Sequence, residues 1–320
     1  MQNHQIQQVK SRLREGWLFL FILIFVISGM MTGCGASESS EPQEDSVIVI
    51  EQQSQADAAV ESTAEKPAES QTPEASLPEE AQPETFVLQV ETGEYLTHIM
   101  DKIEALELEA GNEIYTEDLL VAMQESIDSY LQDNGCENLE QLGLAGEGYI
   151  APGNYEISTE MSAAEVMDYL FEQSQTRFSE EDRERAEELG YSMHEILTMA
   201  SIIEFESSRT DDDSVKALVS SVIHNRLDSD TPLQMDVTVF YLQEGLLPYR
   251  DPAEYEAAYD TYEAASLPPG PICAPSDESI QAALYPEDTG YFFFIYDDEG
   301  NYYFAEDYDT HLLNVETYLD

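Results

Sequence analysis

Residues 196 to 207 read Ile196-Leu197-Thr198-Met199-Ala200-Ser201-Ile202-Ile203-Glu204-Phe205-Glu206-Ser207. Ile196, Leu197, Ala200 and Ile203 recur at helical spacing, which predicts a mostly buried helix. Glu204 falls in line with Met193, Leu197 and Ala200 around that helix. A carboxyl group on an apolar stripe is a local contradiction. Burial disfavours its charged form and should raise its pKa. A carboxylic acid held partly protonated near neutral pH is what a general acid for glycosidic cleavage requires. The plainer reading is an acid at a helix C-terminal end that reaches out to solvent or to an Arg. Taken alone, the stretch leaves both readings open.

The whole chain narrows them. It has 320 residues and a formal net charge of -55, with a pI near 4.1. Such a surface repels phosphate backbones, so nucleic acid is excluded as an expected partner. It also repels anionic lipid headgroups, so membrane attachment needs a hydrophobic anchor. Three cysteines, at 34, 136 and 273, are too few and too scattered for a disulfide framework or a zinc cluster. No cofactor or metal is expected.

The anchor is visible near the start. Lys10, Arg12 and Arg14 precede an uncharged run from Trp17 to Gly33. That length is at the short end of what spans a bilayer. Basic residues before it and an acidic chain after it place the N-terminus in the cytoplasm and the bulk outside the cell membrane. Met31-Thr32-Gly33-Cys34-Gly35 also resembles a bacterial lipoprotein processing site, with Cys34 as the lipidated residue. An uncleaved anchor and a lipid anchor therefore both stand, and either tethers the chain to the outer face. Residues 1–35 form this segment. Residues 36–85 are rich in Glu, Gln, Ser, Ala and Pro and hold no aromatic residue, which reads as an extended spacer.

From Phe86 the pattern changes. Phe86 to Val90 reads as a strand, Tyr95 to Leu108 as a helix, and a second helix comes next with Thr116 as its N-cap. Gly146 to Tyr155 is a turn-rich loop that ends near a strand, and Ser162 opens a further helix. This strand–helix–helix–strand order makes a small α+β module over 86–175. The charged stretch 179–188 reads as a solvated helix connecting that module to the second half of the chain.

In 176–320 the helix bearing Glu204 comes first. Asp211-Asp212-Asp213 caps the next helix, Val215 to Leu227, in preference to binding a metal. His224 is placed on the surface of that helix, and Arg226 is expected to pair with a carboxylate. Gln234, Asp236 and Thr238 alternate with apolar neighbours, which predicts an extended segment with three polar groups on one side. Tyr259 to Tyr262 and Leu267-Pro268-Pro269-Gly270-Pro271-Ile272 form a long, stiff loop. Ser279 to Leu284 is a short helix. Tyr291 to Tyr296 and Tyr302 to Phe304 are strands joined at Asp298-Glu299-Gly300-Asn301, a hairpin signature.

These motifs, in this order, resemble the YceG-like family of endolytic murein transglycosylases. The likeness rests on Gly146-Glu147-Gly148-Tyr149 with Pro152 and Tyr155, then Ala200 to Glu206, then Asn225-Arg226-Leu227. It continues through Leu233 to Thr238, Leu267 to Ile272, and the closing aromatic hairpin with His311. The resemblance implies a LysM-like module over 86–175 and then a mixed α/β catalytic domain over 176–320. It implies cleavage of the β-1,4 bond between N-acetylmuramic acid and N-acetylglucosamine in nascent peptidoglycan strands, leaving 1,6-anhydro ends. The family's catalytic Glu is carried over onto Glu204. Glu206 is given a supporting role, with a pair to Arg226 as one form of it. Glu147, Asn225, Gln234, Asp236, Thr238 and Tyr262 are the remaining substrate-contact candidates. Cell-wall synthases are the protein partners that such a family implies.

The chain also departs from the family pattern. Phe205 stands where a Lys is usual, Val237 where a Pro is, Asp260 where an Asn is and Ser266 where a Gly is. Gly153-Asn154 replaces Asp-Thr, and an expected Asn is missing near Ala274. These departures keep two alternatives in play. One is a weakened glycan-binding or scaffold protein that kept the fold. The other is an ordinary two-carboxylate hydrolase using Glu204 with Asp236.

Overall fold

The computed structural model describes residues 84 to 319, apart from residues 137 and 264 and the side chain of residue 129. The anchor, Cys34 and the spacer lie outside the described residues. Among the described residues no helix is long and apolar enough to cross a membrane.

Leu88 and Val90 are buried while Thr85, Val87 and Gln89 face out, the alternation that gives a strand one wet face. This strand, β1 (Thr85–Val90), pairs antiparallel with β2 (Gly153–Ser158), Leu88 opposite Tyr155 and Phe86 opposite Ile157. Helices α1 (Leu96–Ala110) and α2 (Thr116–Asp133) lie between the two strands in sequence, and α3 (Ala163–Gln175) comes after β2. The strand–helix–helix–strand order is therefore observed. The cap of α2 differs from expectation. Tyr115 holds the N-cap position, and Thr116, just inside the helix, donates its hydroxyl to Asp101 and Glu104 of α1. It stitches two helices together and does not cap its own. Ser162 does cap α3, in a reciprocal capping box with Glu165.

The second half is helical around one element. Helix α4 (Glu180–Leu189) leads into α5 (Met193–Glu206), then come α6 (Ser214–Asp228), α7 (Asp236–Glu244) and the one-turn α8 (Glu256–Tyr259). Helix α9 (Asp277–Leu284) precedes a hairpin of β3 (Phe293–Tyr296) and β4 (Tyr302–Ala305), and α10 (Tyr308–Tyr318) closes the chain. At the hairpin tip Gly300 has φ +82°, and a Cβ there would stand 2.2 Å from the Arg209 carbonyl oxygen, so only Gly fits.

Helix α5 is the centre. Ser192 caps it through a box with Glu195, worth about 1 kcal/mol. Met193 to Ile203 are buried with the sole exception of Glu195, so the helix is enclosed on every side and carries no single apolar stripe. Its polar members are satisfied internally. Thr198 donates to the His194 carbonyl, and Ser201 donates to the Thr198 carbonyl while accepting from Ile272 N–H.

One apolar core runs from Leu88 to Leu284 through both halves. Polar contacts cross the junction too. Gly93 N–H donates to Ala274 at 2.7 Å and Ala274 N–H to Glu94 at 2.9 Å. His194 touches the Pro269 carbonyl through Nε2 and the Tyr149 hydroxyl through Nδ1, both at 2.7 Å. A carbonyl can only accept, so Nε2 carries the proton and Tyr149 donates to Nδ1. Burial pushes the His194 pKa down, which favours this neutral form. Gly148 (φ +76°) lets the first half meet the loop closely, since a Cβ would stand 2.5 Å from Pro271.

Candidate active site

Two carboxyl groups leave the last turn of α5 on opposite sides, as a spacing of two residues requires. Glu204 is half-buried. Its Oε2 accepts from Ser276 N–H at 2.8 Å, from the Ser276 hydroxyl, and from the Ser279 hydroxyl at 2.7 Å. These donors sit at the N-terminus of α9, where backbone N–H groups lack helical partners and favour a negative charge. Glu204 thus ties the end of α5 to the start of α9, and the two helices pack along their lengths. The apolar stripe that singled out Glu204 does not enclose its carboxylate. Sequence reasoning misses Ser276 and Ser279, although Ser276-Asp277-Glu278-Ser279 carries the spacing of a helix cap.

Glu206 has the environment expected for Glu204. It is nine-tenths buried, and among the described residues no donor reaches its carboxyl group. Burial, and after it the charge of Asp236, push its pKa up to about 7. Its own backbone carbonyl accepts from the Tyr302 hydroxyl at 2.6 Å, which fixes the hairpin against this turn. Across from it, Tyr262 donates its hydroxyl to Asp236 Oδ1 at 2.7 Å. That bond, ahead of burial, pushes the tyrosine pKa up to about 12. Tyr262 leaves 46 % of its surface in solvent.

Asp236 and Gln234 are exposed at this site, but the backbone is not the extended segment that alternation predicts. Gln234 sits in a tight turn with φ +54°, and Asp236 opens helix α7. Thr238 consequently turns inward. It is fully buried and donates to the Met235 carbonyl at 2.9 Å, so it holds the turn and is not open to substrate.

Arg226 also differs from expectation. Neither Glu206 nor any other described carboxylate pairs with it; its guanidinium donates to the carbonyls of Phe292, Pro232 and Leu233. Asn225 donates to the carbonyls of Thr289 and Tyr291, both at 2.9 Å, and so holds the approach to the hairpin. His224 is buried, with Nε2 against the Ala283 carbonyl at 2.9 Å, because α6 is covered by α9 on that side.

Glu147 lies away from the others, inside the core. Its Oε1 accepts from Leu96 N–H at 2.9 Å, the first N–H of α1. Burial outweighs that bond and pushes its pKa up to about 8. It caps a helix from a distance and is closed off from solvent. Among the described residues Cys136 and Cys273 are both buried and unpaired. Asp212 turns back on Ser214, accepting from its N–H and its hydroxyl, at the start of α6.

The sequence profile of the YceG-like family matches residues 44–317. The chain belongs to the YceG-like family. A curated relative from Bacillus subtilis (strain 168), the endolytic murein transglycosylase, is 31 % identical over 177 residues, which are 54 % of this chain and 48 % of that one. The endolytic murein transglycosylase of Streptococcus pneumoniae serotype 2 is 27 % identical over 182 residues, 54 % of this chain and 32 % of that one. The chain therefore spans half or less of the length of these curated relatives. The crystal structure of a YceG-like protein from Listeria monocytogenes superposes with a TM-score of 0.60 at 28 % identity, covering 73 % of this chain and 76 % of that one. The fold is thus shared within the family.

Proposed function

We propose that this chain is an endolytic lytic transglycosylase. It cleaves the β-1,4 bond between N-acetylmuramic acid and N-acetylglucosamine in peptidoglycan strands, with Glu206 as the general acid and base. The observation that carries the proposal is the Glu206 environment: a nine-tenths buried carboxyl, without a donor among the described residues, beside Asp236 and the exposed Tyr262 that donates to it. The activity named for the Bacillus and Streptococcus relatives supports the reaction class.

The step needs one carboxyl group. Protonated Glu206 gives its proton to the glycosidic oxygen as the bond to the anomeric carbon breaks. The resulting carboxylate takes the proton of the muramyl C6 hydroxyl as that oxygen bonds to the anomeric carbon. The 1,6-anhydro ring closes, no water is consumed, and Glu206 ends protonated again. Burial, and after it the charge of Asp236, hold the proton on Glu206, and the Tyr262 hydroxyl orients Asp236 by donating to it. The family resemblance puts the same role on Glu204, which leaves the same turn of α5, and the rates of Glu204→Gln and Glu206→Gln decide between the two.

The first half, with its two strands flanking two helices, serves as the LysM-like glycan-holding module of the proposal. The uncharged run 17–33, with or without lipid on Cys34, tethers the chain outside the cell membrane, near cell-wall synthases. The test is digestion of uncross-linked nascent peptidoglycan with mass spectrometry of the products. Anhydro-ended fragments are expected. Reducing ends would mean hydrolysis with Glu206 and Asp236 as a carboxylate pair. Glycan binding without cleavage would mean a scaffold.

A further inference from the structure

We infer that Arg226 is a positioning residue that acts on the reaction through the side chain of Gln234, an inference that rests on the transglycosylase reading. Arg226 is buried, and Phe293 covers its guanidinium at 5.3 Å. A buried cation normally takes a carboxylate partner. This one spends its donors on carbonyls: Nε on Phe292 at 2.7 Å, Nη1 on Pro232 at 3.1 Å and on Leu233 at 2.7 Å. Nη1 also lies 3.4 Å from Gln234 Oε1. A rigid planar fork suits this task, and a lysine ammonium does not reproduce it.

The turn it grips is held from the other side as well. Gln234 N–H donates to the Thr261 carbonyl at 2.9 Å, and Met235 N–H to Thr261 Oγ1 at 3.0 Å. Between the two grips stands Gln234, a non-glycine residue at φ +54° with an exposed side chain. Such a conformation persists where the surroundings over-determine it, and it clusters at functional sites. A turn selected for stability would place Gly or Asn here. Keeping Gln there, clamped from both sides, serves its amide, which can both donate and accept. That is the chemistry to read the hydroxyl and N-acetyl groups of a glycan, two residues from Asp236, whose charge acts on Glu206.

The test is a double-mutant cycle on the full chain, measuring kcat/KM on uncross-linked peptidoglycan for Arg226→Lys, Gln234→Gly and the pair. If Arg226 acts through Gln234, each single change lowers kcat/KM about 30-fold and the pair loses no more than about 100-fold, far short of the roughly 1,000-fold product. Gln234→Gly is also expected to keep or raise the melting temperature while activity falls. Losses that multiply overturn the inference, as does full activity in Gln234→Gly. Should Arg226→Lys fail to fold, the same cycle with Arg226→Gln, which keeps an amide donor toward the turn carbonyls, decides by the same criterion. Wild type that does not cleave would sink the transglycosylase reading itself; cleavage with multiplying losses sinks only the role of Arg226.

Discussion

Glu204 and Glu206 share a helix turn, and their surroundings differ in almost every respect. Glu204 is met by three donors at a helix N-terminus, which is how a fold uses a charge to join two elements. Glu206 is met by burial and by a second acid, which is how a site stores a proton. The comparison teaches that a carboxyl group's role depends on the donors around it more than on the face of the helix it occupies. Glu147 makes the same point from inside the core: more deeply buried than Glu206, but with a backbone N–H at one oxygen.

Three substitutions sharpen or break the contrast. The largest effect is expected from Glu206→Gln, which removes the transferable proton and keeps the shape. The cleavage rate should fall by about 1,000-fold, within the usual span for a general acid, while glycan binding persists. An intermediate effect is expected from Glu204→Gln. It weakens the link to α9, so thermal unfolding should show a loss on the order of 1–2 kcal/mol and the rate should stay within about tenfold of wild type. A rate collapse in Glu204→Gln with an unchanged melting temperature would reverse the two roles. The smallest effect concerns Glu147. Its folded pKa, about 8, lies above the ordinary value near 4.5. Its contribution to stability is therefore fully present below about pH 4.5 and is lost as pH rises toward 8. Glu147→Gln should leave stability near pH 4 almost unchanged and raise it at pH 8, as read by denaturant titration at the two pH values.

Much of the architecture is legible in the residues. Alternation marks β1, Ser162 marks the start of α3, and Gly300 with Asn301 marks the hairpin, because these signals are local. The less legible features are set by tertiary contact. Helix α5 is enclosed on all sides, so counting one apolar stripe cannot distinguish Glu204 from Glu206. Gln234, Asp236 and Thr238 alternate as a strand would. The turn at Gln234 depends on Thr261 and Arg226, and neither shows in the local pattern. His224 reads as a surface residue until α9 is laid over it. Arg226 would be expected to seek an acid in so acidic a chain, and it finds carbonyls because the turn and the hairpin converge on it.

The central claim is that Glu206 holds a proton near neutral pH. Carbon-13 NMR titration of the glutamate carboxyl groups, with Glu206→Gln to assign the resonance, tests it most directly. A midpoint near 7 that disappears in Glu206→Gln and moves toward the acid side in Asp236→Asn is the predicted result. A Glu206 midpoint near 4.5, or a near-neutral midpoint that survives in Glu206→Gln and vanishes in Glu204→Gln, would contradict it.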